Sequence, residues 1–370
     1  MPSKFHLRQI LLLASIFLIA TGARAKNEYN LEIADSAYVP INESYIGISN
    51  MPKVIRQSSA GICYAASTAV LFDEAMCASN RIKDCKSLPD SEKVSVLDVL
   101  RYARVSDIEI DEIKYRSSYQ GLEYDGGNPV RTIFAMLYTQ SSASEACAPQ
   151  SQVLSKNHNP VAAQREELAM WADFQSTFNR ISENKNNIKE FSSRESTRLK
   201  EKYELKGTLK EIERAFDSED YKIFLDRLLI PRICSRAKNS VFHDFVKDFE
   251  FYPSKKFGKS NFNNTIKKIK EVLKLQRPIS ISYCYKDNAE YKNIKSCEEG
   301  MATHTAVIHG YRQSCNSSKQ CIDELQVQNS WGEEWQEANN DGWVKAKPFL
   351  DRSFYEVQSL AWILLEKSQK

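Results

Sequence analysis

The run QSSAGICYAAS (57–67) places one cysteine, Cys63, at a position unlike any other in the chain. A glutamine and several small residues lead into it, and AASTAVLFDEAM (65–76) follows with the composition of a helix. Cys63 therefore opens a helix, where its sulfur faces unpaired backbone N–H groups and the positive end of the macrodipole. Such a setting favours thiolate over thiol. A lone cysteine ahead of a helix is also an ordinary buried residue, so its meaning depends on what the rest of the chain supplies.

The chain has 370 residues, 42% hydrophobic and 27% charged, enough for one large or two ordinary globular domains. Residues 1–25 read as a secretory signal. Lys4 and Arg8 form its charged start, 10–20 its apolar run, and Ala23-Arg24-Ala25 its small-x-small cleavage site, so the mature chain is expected to begin at Lys26. The apolar run is short for an uncleaved membrane anchor. Removing Lys4, Arg8 and Arg24 leaves 48 basic against 48 acidic residues. A neutral mature protein gives no electrostatic reason to expect nucleic acid or an anionic membrane as its main partner. No later segment has the length and apolarity of a membrane span, so no stable membrane insertion is expected after cleavage.

Export makes the nine cysteines informative, because disulfides persist outside the cytosol. An odd number leaves one out. With Cys63 as the free thiol, nearness in sequence suggests Cys77 with Cys85, Cys284 with Cys297, Cys315 with Cys321, and Cys147 with Cys234. This set is one of 105 that eight cysteines allow. No Cys-x-x-Cys or His pair at ligand spacing points to zinc, and neither metal nor cofactor is expected.

Residues 26–56, broken by Pro40 and Pro52, read as an irregular surface lead-in. A helical stretch is expected over about 91–104, with Val94, Leu97, Leu100 and Tyr102 as its core positions. YDGGNPVRTIFAML (124–137) places paired glycines ahead of another apolar helix, a turn that also lets a second backbone come close. From 149 to 262 the texture turns to charged helices with one solvated and one packed face. The last part, 263–370, opens with the helical TIKKIKEVLKL (265–275). Short β-branched and aromatic runs follow: ISISYCY, HTAVIHGY, ELQVQNSW, GWVKAK and AWILLEK. These read as antiparallel strands. A helix-rich first part (26–148) and a strand-rich last one imply an α+β fold of two halves facing across a groove.

That last part also supplies what Cys63 lacks. His304 opens HTAVIHGY, and Asn329 opens NSWGEEW after an alternating strand. A cysteine nucleophile needs a base that can later protonate a leaving amine, and imidazole has a suitable pKa. An asparagine amide can orient that imidazole without adding charge. His309, five residues on, falls on the opposite strand face and reads as structural.

The ordered set of blocks resembles the papain-like cysteine peptidases. Gln57, six residues before Cys63, stands where that family places the oxyanion-hole glutamine. Asp125-Gly126-Gly127 resembles the Asn-Gly-Gly segment whose backbone pairs with substrate, and Pro278-Ile279-Ser280-Ile281 the strand before the histidine. His304 through Gly310-Tyr311 resembles the catalytic histidine strand. Asn329-Ser330-Trp331-Gly332, Trp335 and Asp341-Gly342-Trp343-Val344 resemble the family's asparagine block. The resemblance implies a papain-like two-lobed fold and gives each residue a role. Cys63 is the nucleophile, His304 the base and then acid, and Asn329 the orienter. Gln57 and the Cys63 N–H bind the oxyanion, Gly126 and Gly127 bind substrate backbone, and Trp331 shields the Asn–His bond.

Departures from the family pattern accompany the matches. Ala60 stands where relatives carry a disulfide cysteine, and Thr303 where an acid often precedes the histidine. Ile62 and Tyr64 flank the nucleophile in place of a small residue and a tryptophan, and are expected to narrow the cleft or alter access. The 37 residues from 26 to 62 are too few for a long inhibitory prosegment. Cys63 and His304 stand 241 positions apart, so the charged helices between them read as an insertion, either a stabilising subdomain or a lid. The expectation is a secreted or periplasmic endopeptidase, its signal of bacterial type, acting on peptides or proteins. Two alternatives stay open, a papain-fold binding protein with a blocked cleft and an acyltransferase or amidase using the same thioester chemistry.

Overall fold

The computed structural model describes residues 31–57, 59–103, 108–110, 113–115, 121–139, 142–236, 246–254, 260–285, 302–353 and 359–365. The signal segment and Cys297 lie outside them.

The architecture is α+β. Its sheet comprises β1 (Val39–Pro40), β2 (Ile46–Gly47), β3 (Val246–Tyr252), β4 (Ile279–Tyr285), β5 (Ala302–Cys315), β6 (Cys321–Gln328), β7 (Trp343–Lys345) and β8 (Leu360–Leu365). The strands run in the order β3-β8-β4-β5-β6-β7, antiparallel at every pairing. β4 pairs with β5 only as far as Ile308, and the rest of that edge takes β1 and β2 at Gly310, Tyr311, Ser314 and Cys315. The N-terminal stretch is thus part of the sheet and not a surface lead-in: its apolar residues Leu31, Ile48 and Met51 are buried. β3 falls inside the stretch read as charged helix. It pairs with β8 over Leu360–Leu365, and its two ends, Val246 and Tyr252, are buried.

Helix α1 (Cys63–Ser79) is buried along its whole length up to Cys77, with apolar or small residues on every face. It packs against β5 on one side and α2 (Pro129–Thr139) on another. Two acids inside it have dedicated partners. Asp73 accepts the Val94 N–H at 2.8 Å, and Glu74 forms a two-pronged ion pair with Arg277, both contacts 3.0 Å, just ahead of β4. The stretch expected to be helical over 91–104 forms only one α-turn, Val96–Val99, and a 3-10 turn, Leu100–Tyr102. Ser95 caps the α-turn, and the buried Asp98 carboxylate accepts from the Ala143 N–H and the Ser142 hydroxyl of another segment. The expected core positions Val94, Leu97, Leu100 and Tyr102 are buried nonetheless.

The charged stretch forms α3 (Pro160–Glu183), α4 (Ile188–Tyr203) and α5 (Tyr221–Leu229), with shorter turns between them. Their inner faces meet through Trp171, Phe174, Phe178, Phe191, Tyr203, Phe216 and Phe224, largely edge to face. Partial burial alone would raise Asp173, but hydrogen bonds from Arg198, Tyr203 and Lys202 hold its carboxyl well below the usual carboxylate range. A disulfide between Cys147 and Cys234 joins the segment ahead of α3 to the segment after α5, and others link Cys77 to Cys85 and Cys315 to Cys321. Cys284 is also disulfide-bonded, and Cys63 is the free cysteine among the described residues. No helix of the described residues is long and apolar enough to cross a membrane.

Candidate active site

Cys63 is the first residue of α1, so its N–H has no acceptor within the helix. The packing of α1 on β5 brings the sulfur to the strand that carries the histidine. Thr305, the residue after His304, is the neighbour whose backbone and side chain do most to lower the Cys63 thiol pKa. Cys63 is 6% exposed. Burial pushes its thiol up, against the hydrogen bonds from Thr305, Tyr64 and its own backbone. The helix N-terminus, expected to favour thiolate, is therefore outweighed here by desolvation.

His304, also 6% exposed, places Nε2 2.8 Å from Oδ1 of Asn329. A carbonyl oxygen only accepts, so Nε2 carries the hydrogen and Nδ1 is the basic nitrogen of this tautomer. Burial lowers the His304 pKa to about 4, with the Asn329 hydrogen bond acting the other way. Both shifts keep the proton on sulfur. β5 and β6 set the His–Asn pair in place, since Val307 lies opposite Gln328, directly before Asn329. Asn329 is pinned in turn by its N–H on Gln336 Oε1, 3.3 Å away, and Trp331 stacks on the imidazole, centroids 4.5 Å apart and planes at 18°. Tyr283 meets the same ring edge-on at 5.5 Å. His309 sits apart, at the register shift between Ile308 and Gly310, where its carbonyl accepts the Ile48 N–H.

Gln57 lies on a loop beside this pair. Its N–H donates to the Ser330 carbonyl at 2.7 Å, its Oε1 accepts from the Ser330 hydroxyl, and its Nε2 donates to the Ala60 carbonyl at 3.3 Å. The amide is thereby oriented, with one of its two Nε2 hydrogens used on Ala60. Across from it, the Gly126 N–H donates to the Gly61 carbonyl at 3.0 Å, which sets the paired glycines next to the nucleophile's loop. Gly126 has φ of +86° and open space where a side chain would stand. At Gly127 a Cβ would come within 2.6 Å of the Tyr64 ring.

Ile62 and Tyr64 do not narrow the cleft. Both are 0% exposed. The Tyr64 ring lies under Gly127 and its hydroxyl donates to the Glu123 carbonyl at 2.6 Å, so the residue props up the glycine segment from inside. Thr305 escaped the sequence reading. The alternation of HTAVIHGY sets it on the face opposite His304, and nothing in its spacing shows that α1 packs against that face.

No family model and no curated protein matches the sequence. Among solved structures, the chain is similar to the bromelain protease of Ananas comosus in complex with the E64 inhibitor, at 14% identity and a TM-score of 0.42, over 87% of this chain and 99% of that one. It is similar to the SERA5 proenzyme of Plasmodium falciparum at 11% identity and a TM-score of 0.42, over 85% of this chain and 62% of that one. SERA5E of the same organism gives 13% and 0.41, over 86% and 91%. The chain thus spans less than two thirds of the SERA5 proenzyme. Overlaps of this extent carry no argument about activity, which has to come from the site.

Proposed function

We propose that this protein is a papain-like cysteine peptidase, exported to an oxidising compartment, that hydrolyses peptide bonds in peptides or proteins. The observation that carries the reading is the His304–Asn329 pair under Trp331, on the strand that packs its next residue against the Cys63 sulfur. The disulfides among the described residues support the compartment.

In this reading, the Cys63 sulfur bonds to the scissile carbonyl carbon while its proton passes to Nδ1 of His304. The buried neutral pair favours transfer in step with attack over a standing ion pair. The carbonyl oxygen becomes an oxyanion held by the Cys63 N–H and the second Nε2 hydrogen of Gln57. Donors of this kind are worth about 3–4 kcal/mol each. As the C–N bond breaks, the imidazolium gives its proton to the leaving amine. Water then attacks the thioester with His304 again as base, releasing the acid and restoring the thiol. Asn329 holds the ring through both steps, and Gly126 and Gly127 offer backbone to the extended substrate.

The test is the intact mass of the unreduced protein after exposure to an epoxysuccinyl thiol probe, with Cys63→Ala as control, followed by cleavage of a fluorogenic peptide library. A single adduct lost in the variant, together with peptide turnover, is the expected result. No adduct on folded protein would turn the reading to a binding protein with a blocked cleft. Transfer to an added amine in preference to water would make it an acyltransferase.

A further inference from the structure

Both segments that flank Cys63 are held by one face of α3. Glu167, 3% exposed, spends its carboxylate on three donors. Oε1 accepts from Arg56 Nη2 at 2.8 Å and from the Ser155 N–H at 3.1 Å, and Oε2 from the Ser59 N–H at 2.9 Å. Arg56 and Ser59 bracket Gln57. The Arg56 carbonyl also accepts from Gln150 Nε2 at 3.0 Å. One helical turn on, Trp171 stacks on Tyr124, centroids 5.4 Å apart and planes at 13°, two residues ahead of Gly126. From α5, the Lys222 carbonyl takes the Leu122 N–H and its ammonium pairs with Glu123. Residues i and i+4 lie side by side on a helix, so Glu167 and Trp171 form a single contact surface.

We infer that this face of α3 is a clamp for the catalytic groove, with Glu167 a positioning residue for the Gln57 amide and Trp171 one for the Gly126-Gly127 backbone. The inference rests on the peptidase reading and assigns the insertion a part in it. Besides α3, the Gln57 loop is held by the Arg56–Trp331 and Gly61–Asp125 bridges, the Gln57–Ser330 bonds and the turn at Ala60, none of which is a regular ladder. A carboxylate accepting charge-assisted bonds from either side of Gln57 supplies what a regular strand would otherwise provide. An oxyanion donor is sensitive to this, because a misplacement of about 1 Å can cost about 10²-fold in rate.

The experiment compares Glu167→Ala, Glu167→Gln and Trp171→Ala in the full chain, by amide hydrogen exchange and by steady-state peptide cleavage. Glu167→Ala is expected to speed exchange in a 56–63 peptide at least about tenfold and to lower kcat about 10- to 100-fold with KM little changed. Trp171→Ala should speed exchange in a 121–127 peptide and raise KM instead. Alkylation of Cys63 by iodoacetamide, which forms no oxyanion, should stay within about twofold of the parent in both. Glu167→Gln keeps acceptor oxygen and should recover part of kcat; it carries the test by itself if the alanine variant does not fold. Unchanged exchange at 56–63, or faster exchange with unchanged kcat, would overturn the clamp. A parent that cleaves no peptide would overturn the peptidase reading alone, and the exchange data would then decide whether the clamp exists.

Discussion

The two sides of the candidate site, the groove walls of the proposed peptidase, are built on different principles. His304, Asn329 and Trp331 sit on or just beyond β5 and β6, where successive ladder bonds fix every residue by its neighbours. Gln57 and Gly126 sit on irregular backbone that depends on side chains from elsewhere: Ser330, Tyr64, Glu167, Trp171 and Lys222. A wall held by a ladder tolerates the loss of one side chain with its geometry intact. A wall held by side chains transmits each loss to the groove, so distant substitutions should tell on one side and not the other.

The sharpest contrast comes from His304→Ala. The ladder survives and the base does not. Peptide turnover is expected to fall by about 10⁴-fold or more, with exchange protection of β5 and β6 retained. Collapse of the β5 ladder along with activity would show that the sheet wall is less independent than its pairing implies. Next in size is the Cys147–Cys234 bridge, which spans a sequence separation of 87 and encloses α3, α4 and α5. Replacing both cysteines with serine is expected to cost about 4–5 kcal/mol in urea unfolding by the loop-entropy model. Exchange should rise at 56–63 and 121–127 before it rises at 304–311. Equal loosening on both sides would break the comparison.

The same contrast decides what could be read from the chain. The sheet wall was legible because alternation is local: HTAVIHGY and ELQVQNSW display their strand period and chemistry within a few residues. Gln57 was found through its spacing from Cys63, and Gly126 and Gly127 through a resemblance of their segment; the structure ties Gln57 to Ala60 and Gly126 to Gly61, and sets Gly127 against the Tyr64 ring. What holds them stayed hidden. Glu167 lies in REELAM among other charged residues, and no pattern separates a carboxylate buried against Ser59 from its solvated neighbour Glu166. The short helix at Val96–Val99 was overread for a related reason, because the apolar period persists through a turn imposed by Asp98 on a distant segment. Pairing of β1 and β2 with β5 depends on how far β4 extends, which 26–56 does not encode.

Gln57→Ala tests the loop wall at its tip. Losing one oxyanion donor should lower kcat by about 10²-fold or more while KM moves little. Alkylation of Cys63 by iodoacetamide should be affected far less, since displacement of iodide by sulfur develops no oxyanion. A matching loss in labelling would mean that Gln57 shapes access to the thiol and does not stabilise charge.

The smallest effect is thermodynamic and belongs to the ladder wall. Burial takes His304 from 6.5 to about 4, so between those values the unfolded chain binds a proton that the folded protein does not. Stability from this residue is complete above about pH 6.5 and lost as pH falls to 4, by about 3 kcal/mol at full extent. Three acids pull the other way, among them Glu74, raised to about 7 by burial against the charge and hydrogen bonds of Arg277. Asp73 is raised to about 7 by burial, against the Val94 N–H and Lys93, and Glu145 to about 8 by burial, with Asp90 and Asp73 adding to it. The folded state keeps those protons where the unfolded one has lost them, so their share declines as pH rises from about 4 to 8. The parent's overall profile therefore cannot isolate His304, but a difference can. Urea unfolding of the parent and of His304→Gln at pH 7.5 and 4.5 should show the variant gaining about 2–3 kcal/mol relative to the parent on acidification. No relative gain would mean that the imidazole takes up its proton inside the fold near neutral pH. A standing thiolate–imidazolium pair would then replace transfer in step with attack.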